Sequence, residues 1–133
     1  TKALELSCKE GQEEGARLRK LQKFFISEIT TKISGTALNG HPEKRLSNNV
    51  NLSFAGVEGS IVLEHLNHRK IYASSGSACT EGIIGVSHVL EAIQAENTEG
   101  TIRFTLGLET TKKELVTVIA ALQEIIESLR KIY

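Results

Sequence analysis

Apolar residues recur at helical spacing near both ends of the chain. The N-terminal set repeats every three or four residues and ends before Ser34-Gly35, which predicts a helix with one apolar face; its members are Leu18, Leu21, Phe25 and Ile29. The C-terminal set follows Thr111 and Glu114, whose spacing matches a capping box at a helix start. Its members are Leu115, Val118, Leu122, Ile125, Leu129 and Ile132. Both patterns predict helices that pack one face against a core.

Three short segments between these helices are predicted to be strands. Residues 50–54 alternate apolar and polar positions, which is typical of a half-buried strand. Residues 101–106 also alternate and place Ile102, Phe104 and Leu106 on one face. Residues 71–73 form the remaining, shorter segment.

The other segments are predicted to be a loop and two short helices. Residues 38–49 hold the single proline together with glycine and asparagine, which favours a loop. Ser60 is predicted to cap a helix that runs through Leu66, and Ser87 another that runs to about residue 95. Few strands and several amphipathic helices predict an α/β fold, an α+β sandwich in which a small sheet of about three to four strands has helices on one face.

Composition and charge narrow the function classes. The 133 residues indicate one domain, and the 16 basic residues balance 16 acidic ones, so no basic surface for nucleic acid is expected. No apolar run approaches the roughly 20 residues that span a bilayer, so no membrane partner is expected. Two cysteines make no disulfide framework, which favours a reducing, cytoplasmic setting. Because the chain contains no Met, we expect it to be a piece of a longer protein.

Cys79 is the first candidate for chemistry. The run from Ser74 to Thr80 contains no side chain larger than cysteine or threonine, so it has nothing with which to anchor itself in a core. A thiol reacts as its thiolate, which needs exposure and a nearby cation or helix N-terminus. A buried structural cysteine is the competing interpretation, and the local sequence leaves both open. Cys8 shows no comparable surroundings.

Arg103 is the second candidate, since it lies on the polar side of its predicted strand. A solvated surface arginine is one interpretation. The other uses the planar guanidinium, which binds a carboxylate through two parallel hydrogen bonds. The four histidines form no metal-binding spacing with either cysteine, so no metal site is predicted.

Several runs of the sequence resemble the cysteine desulfurases. The most specific is Ser-Ser-Gly-Ser-Ala-Cys, which ends at Cys79. The other matching runs are residues 38–41, 45–54, 56–59, 87–90, 100–107 and 110–111. Together they cover residues 38 to about 115 in the family's order. The sequence departs from the family at residues 81–86, Glu-Gly-Ile-Ile-Gly-Val, where family members have serine-rich residues and a Glu-Pro pair.

The resemblance implies a role for this chain in a larger enzyme. Cysteine desulfurases are homodimeric, fold-type I enzymes that depend on pyridoxal phosphate, and their large domain carries the Schiff-base lysine. Residues 1–133 would be the small C-terminal domain, with no cofactor-binding residue of its own and no activity in isolation. Cys79 would take sulfur from L-cysteine as a persulfide, releasing alanine, and Arg103 would bind the α-carboxylate of the substrate. The persulfide would pass to an iron–sulfur scaffold or thiolation protein.

Two alternatives stay open. The chain could be a stand-alone persulfide carrier that works without the cofactor. It could also belong to a selenocysteine lyase, which uses the same nucleophile. The resemblance implies that dimers form largely through the large domain, which leaves the oligomeric state of residues 1–133 open.

Overall fold

The computed structural model describes residues 1–75 and 87–132, and these ranges contain four helices and three strands. The helices are α1 (Lys2–Lys32), α2 (Gly59–His68), α3 (His88–Ala92) and α4 (Lys112–Ile132). The strands are β1 (Thr36–Leu38), β2 (Asn49–Phe54) and β3 (Thr101–Thr105), with a 3₁₀ turn at Thr98–Gly100 just before β3.

The three strands form one antiparallel sheet in the order β1-β2-β3. The apolar residues of β2 and β3 share one core with α1, α2 and α4. At its centre, the rings of Phe25 and Phe104 meet edge to face with their centroids 5.2 Å apart, a favourable aromatic geometry. The predicted fold class, a small sheet with helices packed against one face, is confirmed.

Two strand predictions differ from the structure. Residues 71–73 are not a strand, because only the next residue, Ser74, pairs with β3. Residues 36–38 form β1, which the polar loop composition that follows it did not reveal. An edge strand of three residues carries too few alternating positions to show a period of two.

The predicted helix starts are partly correct. The capping box of α4 is present, because Thr111 N donates to Glu114 Oε2 at 2.8 Å and Glu114 N donates to Thr111 Oγ1 at 3.3 Å. The hydrogen bonds that the Glu114 carboxylate accepts from Thr111 N and, at 2.9 Å, from Thr111 Oγ1 hold the pKa of Glu114 below its ordinary value. The prediction that Ser60 caps α2 is wrong, since Glu58 is the N-cap residue and Ser60 Oγ donates to its carboxylate.

The buried face of α4 differs from the predicted apolar stripe. Ile132, the last residue of α4, is 72% exposed. Ile119 and Ile126, which the stripe omitted, are buried. The buried face is therefore wider than one stripe, as expected where a helix contacts two neighbouring helices and shares a core with the strands.

Two arginines, one on α1 and one on α4, donate hydrogen bonds to backbone carbonyl oxygens near the ends of the strands. Arg17 of α1 is oriented by Glu14 and donates to the carbonyl oxygens of Gly107, Leu108 and Thr110, at 2.7–3.0 Å. In α4, Arg130 donates from Nε and Nη2 to the carbonyl oxygen of residue 55, just after β2. The guanidinium supplies the several donors that this bracing requires.

Gly100 permits a close approach of two backbone segments at the start of β3. A Cβ atom at this position would overlap the carbonyl oxygen of Phe54 and lie 2.9 Å from that of Val57. Since both obstacles are backbone atoms, no side-chain rotation could relieve the clash. Gly107 lies just beyond the same strand, and a Cβ atom there would meet nothing within 4 Å.

We therefore expect Gly100→Ala to destabilise the protein and Gly107→Ala to leave it nearly unchanged. Overpacking against fixed atoms costs about 1–3 kcal/mol or more, and here the start of β3 must shift. Urea unfolding of the two variants and the wild type provides the comparison. Equal midpoints for both variants would contradict the close approach.

Candidate active site

Cys79 lies outside the described residues, so the part of the candidate site that the structure describes is centred on Arg103. Arg103 occupies the middle of β3 between the buried residues Ile102 and Phe104, and it is itself partly buried. Because side chains alternate along a strand, Arg103 lies on the face of the sheet opposite the helical core. The prediction that it lies on the polar side of its strand is confirmed.

Ser74 pairs directly with Arg103. Ser74 N donates to Arg103 O at 3.0 Å, and Arg103 N donates back to Ser74 O. Between the side chains, Arg103 Nη2 donates to Ser74 Oγ over a long 3.4 Å. Ser74 begins the small-residue run that leads to Cys79, so this run starts beside the guanidinium group.

On the other side of Arg103, the sheet places Asn51 of β2 directly across from it. Asn39, which follows β1, continues the ladder because its backbone N donates to Asn51 O at 2.9 Å. Residues 39, 51, 103 and 74 thus lie side by side across the sheet, and we call them the polar row. Neighbours of this kind have Cβ atoms roughly 4.5–5.5 Å apart.

A buried hydrogen-bond network supports one side of the polar row. Asn39 Nδ2 donates to Asn51 Oδ1 at 2.7 Å and to Ser53 Oγ at 2.8 Å. Ser53 Oγ also bonds to Thr101 Oγ1 at 2.9 Å. Asn39, Ser53 and Thr101 are all buried. Their polar groups satisfy one another, as buried polar groups must, and this holds the Asn39 and Asn51 amides in fixed orientations.

Arg45 adds a second guanidinium group near this face. Its hydrogen bonds to the carbonyl oxygens of Asn39, His41 and Asn49 are 3.1–3.5 Å long, and Nη2 lies 3.4 Å from Asn49 Oδ1. Burial lowers the pKa of Arg45. Among residues 1–75 and 87–132, no carboxylate forms an ion pair with Arg45 or Arg103. The local charge around the polar row is therefore positive.

The histidines and Cys8 give no second candidate site within the described residues. His41 Nδ1 accepts hydrogen bonds from the backbone N atoms of Glu43 and Lys44, at 3.1 and 3.0 Å. Within the described part of the chain, no cluster of histidine, cysteine and acidic residues could hold a metal ion. None of the described helices is long and apolar enough to cross a membrane. Cys8, also in the described part, is an exposed free thiol.

The sequence pattern indicated Arg103 but did not single out Asn39 or Asn51. Both asparagines lie in runs with a loop or strand pattern, and neither is unusual by itself. The available signal was the alternation that puts Asn51 on the polar side of β2. Turning that signal into a site requires the register between β2 and β3, whose residues are about 50 positions apart in the chain.

Known protein sequences are similar to this chain along nearly its whole length. The family model described as "Aminotransferase class-V" matches residues 1–118. The cysteine desulfurase IscS of Dictyoglomus turgidum is 47% identical over 133 residues, covering 98% of this chain and 34% of that protein. Cysteine desulfurase IscS 1 of Archaeoglobus fulgidus is 42% identical over 131 residues, covering 97% and 34%. The chain spans about a third of the length of these relatives.

Solved structures show the same fold. A NifS-like protein superposes with a TM-score of 0.80 at 24% identity, covering 96% of this chain and 32% of that one. A NifS-like protein from Rickettsia africae gives a TM-score of 0.77 at 22% identity, covering 92% and 31%. The sheet and its helices therefore have the arrangement found in one part of NifS-like proteins.

The buried network beneath the polar row predicts unequal effects for two threonines on the same face of β3. Thr101 is buried and bonded to Ser53, whereas Thr105 is exposed. Thr101→Val keeps the shape of the side chain but removes its hydroxyl group, so we expect a loss of about 1–3 kcal/mol. Thr105→Val should change the free energy of unfolding by less than about 0.5 kcal/mol. Chemical denaturation measures both values, and equal losses would argue against the network.

Proposed function

This chain belongs to the class-V aminotransferase family, and we propose that it is the C-terminal small domain, residues 1–133, of a cysteine desulfurase. The observation that carries the proposal is the 47% identity to a cysteine desulfurase along nearly the whole chain. The Ser-Ser-Gly-Ser-Ala-Cys run at Cys79 lies within the matched region. In the parent protein, the domain would supply the sulfur-accepting thiol and the group that binds the substrate carboxylate.

Cys79 is proposed as the nucleophile. Its thiolate attacks the sulfur atom of L-cysteine, an S–S bond forms, and the C–S bond breaks. The electron pair stays on the substrate carbon, which takes up a proton and leaves as alanine, while Cys79 keeps the sulfur as a persulfide. The persulfide then transfers its outer sulfur to an acceptor such as an iron–sulfur scaffold protein. A free thiol of this kind suits the cytoplasmic setting that the cysteine content favours.

The starting point of the small-residue run supports a partnership between Cys79 and Arg103. Ser74 is paired to Arg103, and Cys79 follows five residues later. Five residues of fully extended chain reach at most about 18 Å. A thiol within this distance of Ser74 can reach a substrate whose carboxylate is bound at Arg103.

The family implies pyridoxal phosphate in the parent protein, where the cofactor stabilises negative charge on the substrate carbon. A Schiff-base lysine is usually desolvated, so that its amine loses a proton near neutral pH. Every lysine whose side chain the structure describes is exposed, so the described residues do not fit the cofactor's covalent anchor. We place the anchor in the large domain of the parent, with its homodimer mate completing the assembly.

The first test uses the two cysteines as a matched pair in the full-length protein. Cys79→Ser should lower alanine release from L-cysteine by about 100-fold or more, because serine cannot form a persulfide. Cys8→Ser removes the exposed thiol of α1 and should leave the rate unchanged. Mass spectrometry should find one added sulfur atom on the peptide with Cys79. Sulfur on Cys8, with full activity in the Cys79 variant, would refute the assignment.

A second test concerns Arg103 in the same protein. Arg103→Ala removes two charge-assisted hydrogen bonds to the substrate, each worth about 1.5–3 kcal/mol, so kcat/KM should fall at least tenfold. Arg103→Lys should recover only part of this lost kcat/KM, since an ammonium group lacks the planar fork. Normal kinetics in the alanine variant would make Arg103 an ordinary surface residue.

A further inference from the structure

We propose that Asn51 is a second hydrogen-bond donor to the carboxylate that Arg103 binds, and that Asn39 is the positioning residue that orients it. This inference rests on the proposed function, since it adds a residue to the same substrate site. It starts from the register of the sheet, which places Asn51 directly opposite Arg103.

The orientation of the Asn51 amide follows from its hydrogen bond to Asn39. Asn39 Nδ2 donates to Asn51 Oδ1 at 2.7 Å, so the oxygen of the Asn51 amide is on the Asn39 side. Strand β2 lies between β1 and β3. The Nδ2 group of Asn51 is therefore on the other side, toward Arg103, and it has no hydrogen-bond partner among the described residues.

Rotation of the Asn39 amide away from Asn51 would break buried hydrogen bonds and is therefore costly. Both N–H groups of Asn39 Nδ2 are used, one by Asn51 Oδ1 and the other by Ser53 Oγ. Asn39 is 5% exposed and Ser53 is fully buried, so water cannot replace either bond without opening the sheet. Breaking a buried hydrogen bond leaves its partners unsatisfied.

Two donor groups thus lie side by side, and no acceptor within residues 1–75 and 87–132 bridges them. The guanidinium has only donors and no lone pair to offer, and the free end of the Asn51 amide is also a donor. Among the described residues, Arg103 makes only one side-chain hydrogen bond, the 3.4 Å contact to Ser74. An incoming group that accepts from both would satisfy both.

A carboxylate is the group that fits these donors. It has two oxygen atoms that accept about four hydrogen bonds, and its single negative charge matches the single positive charge of Arg103. Asn51 adds a neutral donor that selects for an acceptor oxygen without adding charge. The amino-acid substrate of the proposed reaction carries such a carboxylate.

The test measures equilibrium binding to the full-length protein with its cofactor, using L-alanine and L-alaninamide as probes. Alaninamide lacks the carboxylate, so the ratio of the two Kd values reports recognition of that group. Asn51→Ala should raise the Kd for L-alanine about tenfold, and Asn51→Asp about 100-fold because a second negative charge faces the ligand. The Kd for alaninamide should change little in Asn51→Ala.

Asn49→Ala provides the matched control. Asn49 lies on the same strand and the same face as Asn51, but it is paired with Thr105 instead of Arg103. Its removal should leave both Kd values unchanged. If Asn49→Ala and Asn51→Ala raise the Kd for L-alanine equally, the specific role of Asn51 is refuted.

Asn39→Asp tests the positioning role. An aspartate at position 39 only accepts hydrogen bonds, so the Asn51 amide must turn its Nδ2 toward it and present its oxygen to the ligand. We expect the preference for alanine over alaninamide to fall about tenfold. A purely structural role would lower the melting temperature while leaving that preference intact, and this result would overturn the positioning role.

Arg103→Ala separates failure of this inference from failure of the proposed function. If it weakens L-alanine binding while both Asn51 variants bind normally, Arg103 is confirmed and Asn51 is excluded. If Arg103→Ala also binds L-alanine normally, the carboxylate site itself is refuted. Should Asn51→Ala not fold, the nearly isosteric Asn51→Asp variant still decides the question.

Discussion

The pairing of β2 with β3 determines where Asn51 and Arg103 lie relative to each other. Asn51 is opposite Arg103 and Ser53 is opposite Thr101 because Leu52 is opposite Ile102 on the core face. A slip of one residue would carry Ile102 out of the core and Arg103 into it. Since Ile102 and Leu52 are fully buried, the apolar face strongly disfavours that slip. Burial of apolar residues on one face of the sheet therefore keeps Asn51 opposite Arg103 on the other face.

On the polar face of the sheet, side-chain hydrogen bonds fix the positions of the residues. Asn39, Ser53 and Thr101 are buried and hydrogen-bonded to one another in a chain, so a rearrangement that breaks this chain leaves a donor or acceptor unsatisfied. Arg103 and Asn51 lie at the more open end of the same face. The chain therefore combines a rigid polar base with a partly exposed donor pair, an arrangement that limits the reorganisation needed when an anion binds.

The sequence predicted those features whose causes are local. Alternation along residues 101–106 was enough to place Arg103 on the polar side, and the Thr111–Glu114 spacing was enough to predict the start of α4. Strand β1 was not predicted because an edge strand of three residues shows little periodicity. The role that we propose for Asn51 was not predicted because it depends on Arg103, about 50 positions away in the chain. The interpretation of Cys79 needed a family resemblance, since its neighbours allowed both a reactive and a buried thiol.

Within the described residues, the edges of the sheet leave few unpaired backbone groups with which another chain could pair. On one side it ends in β1, which has only three residues, and on the other the middle of β3 is already paired by Ser74. Long, unpaired strand edges are the usual starting points for aggregation, because they accept a strand from a neighbouring chain. Ser74 thus has a second effect besides starting the cysteine run beside Arg103: it interrupts the row of free backbone groups on which self-association would otherwise begin.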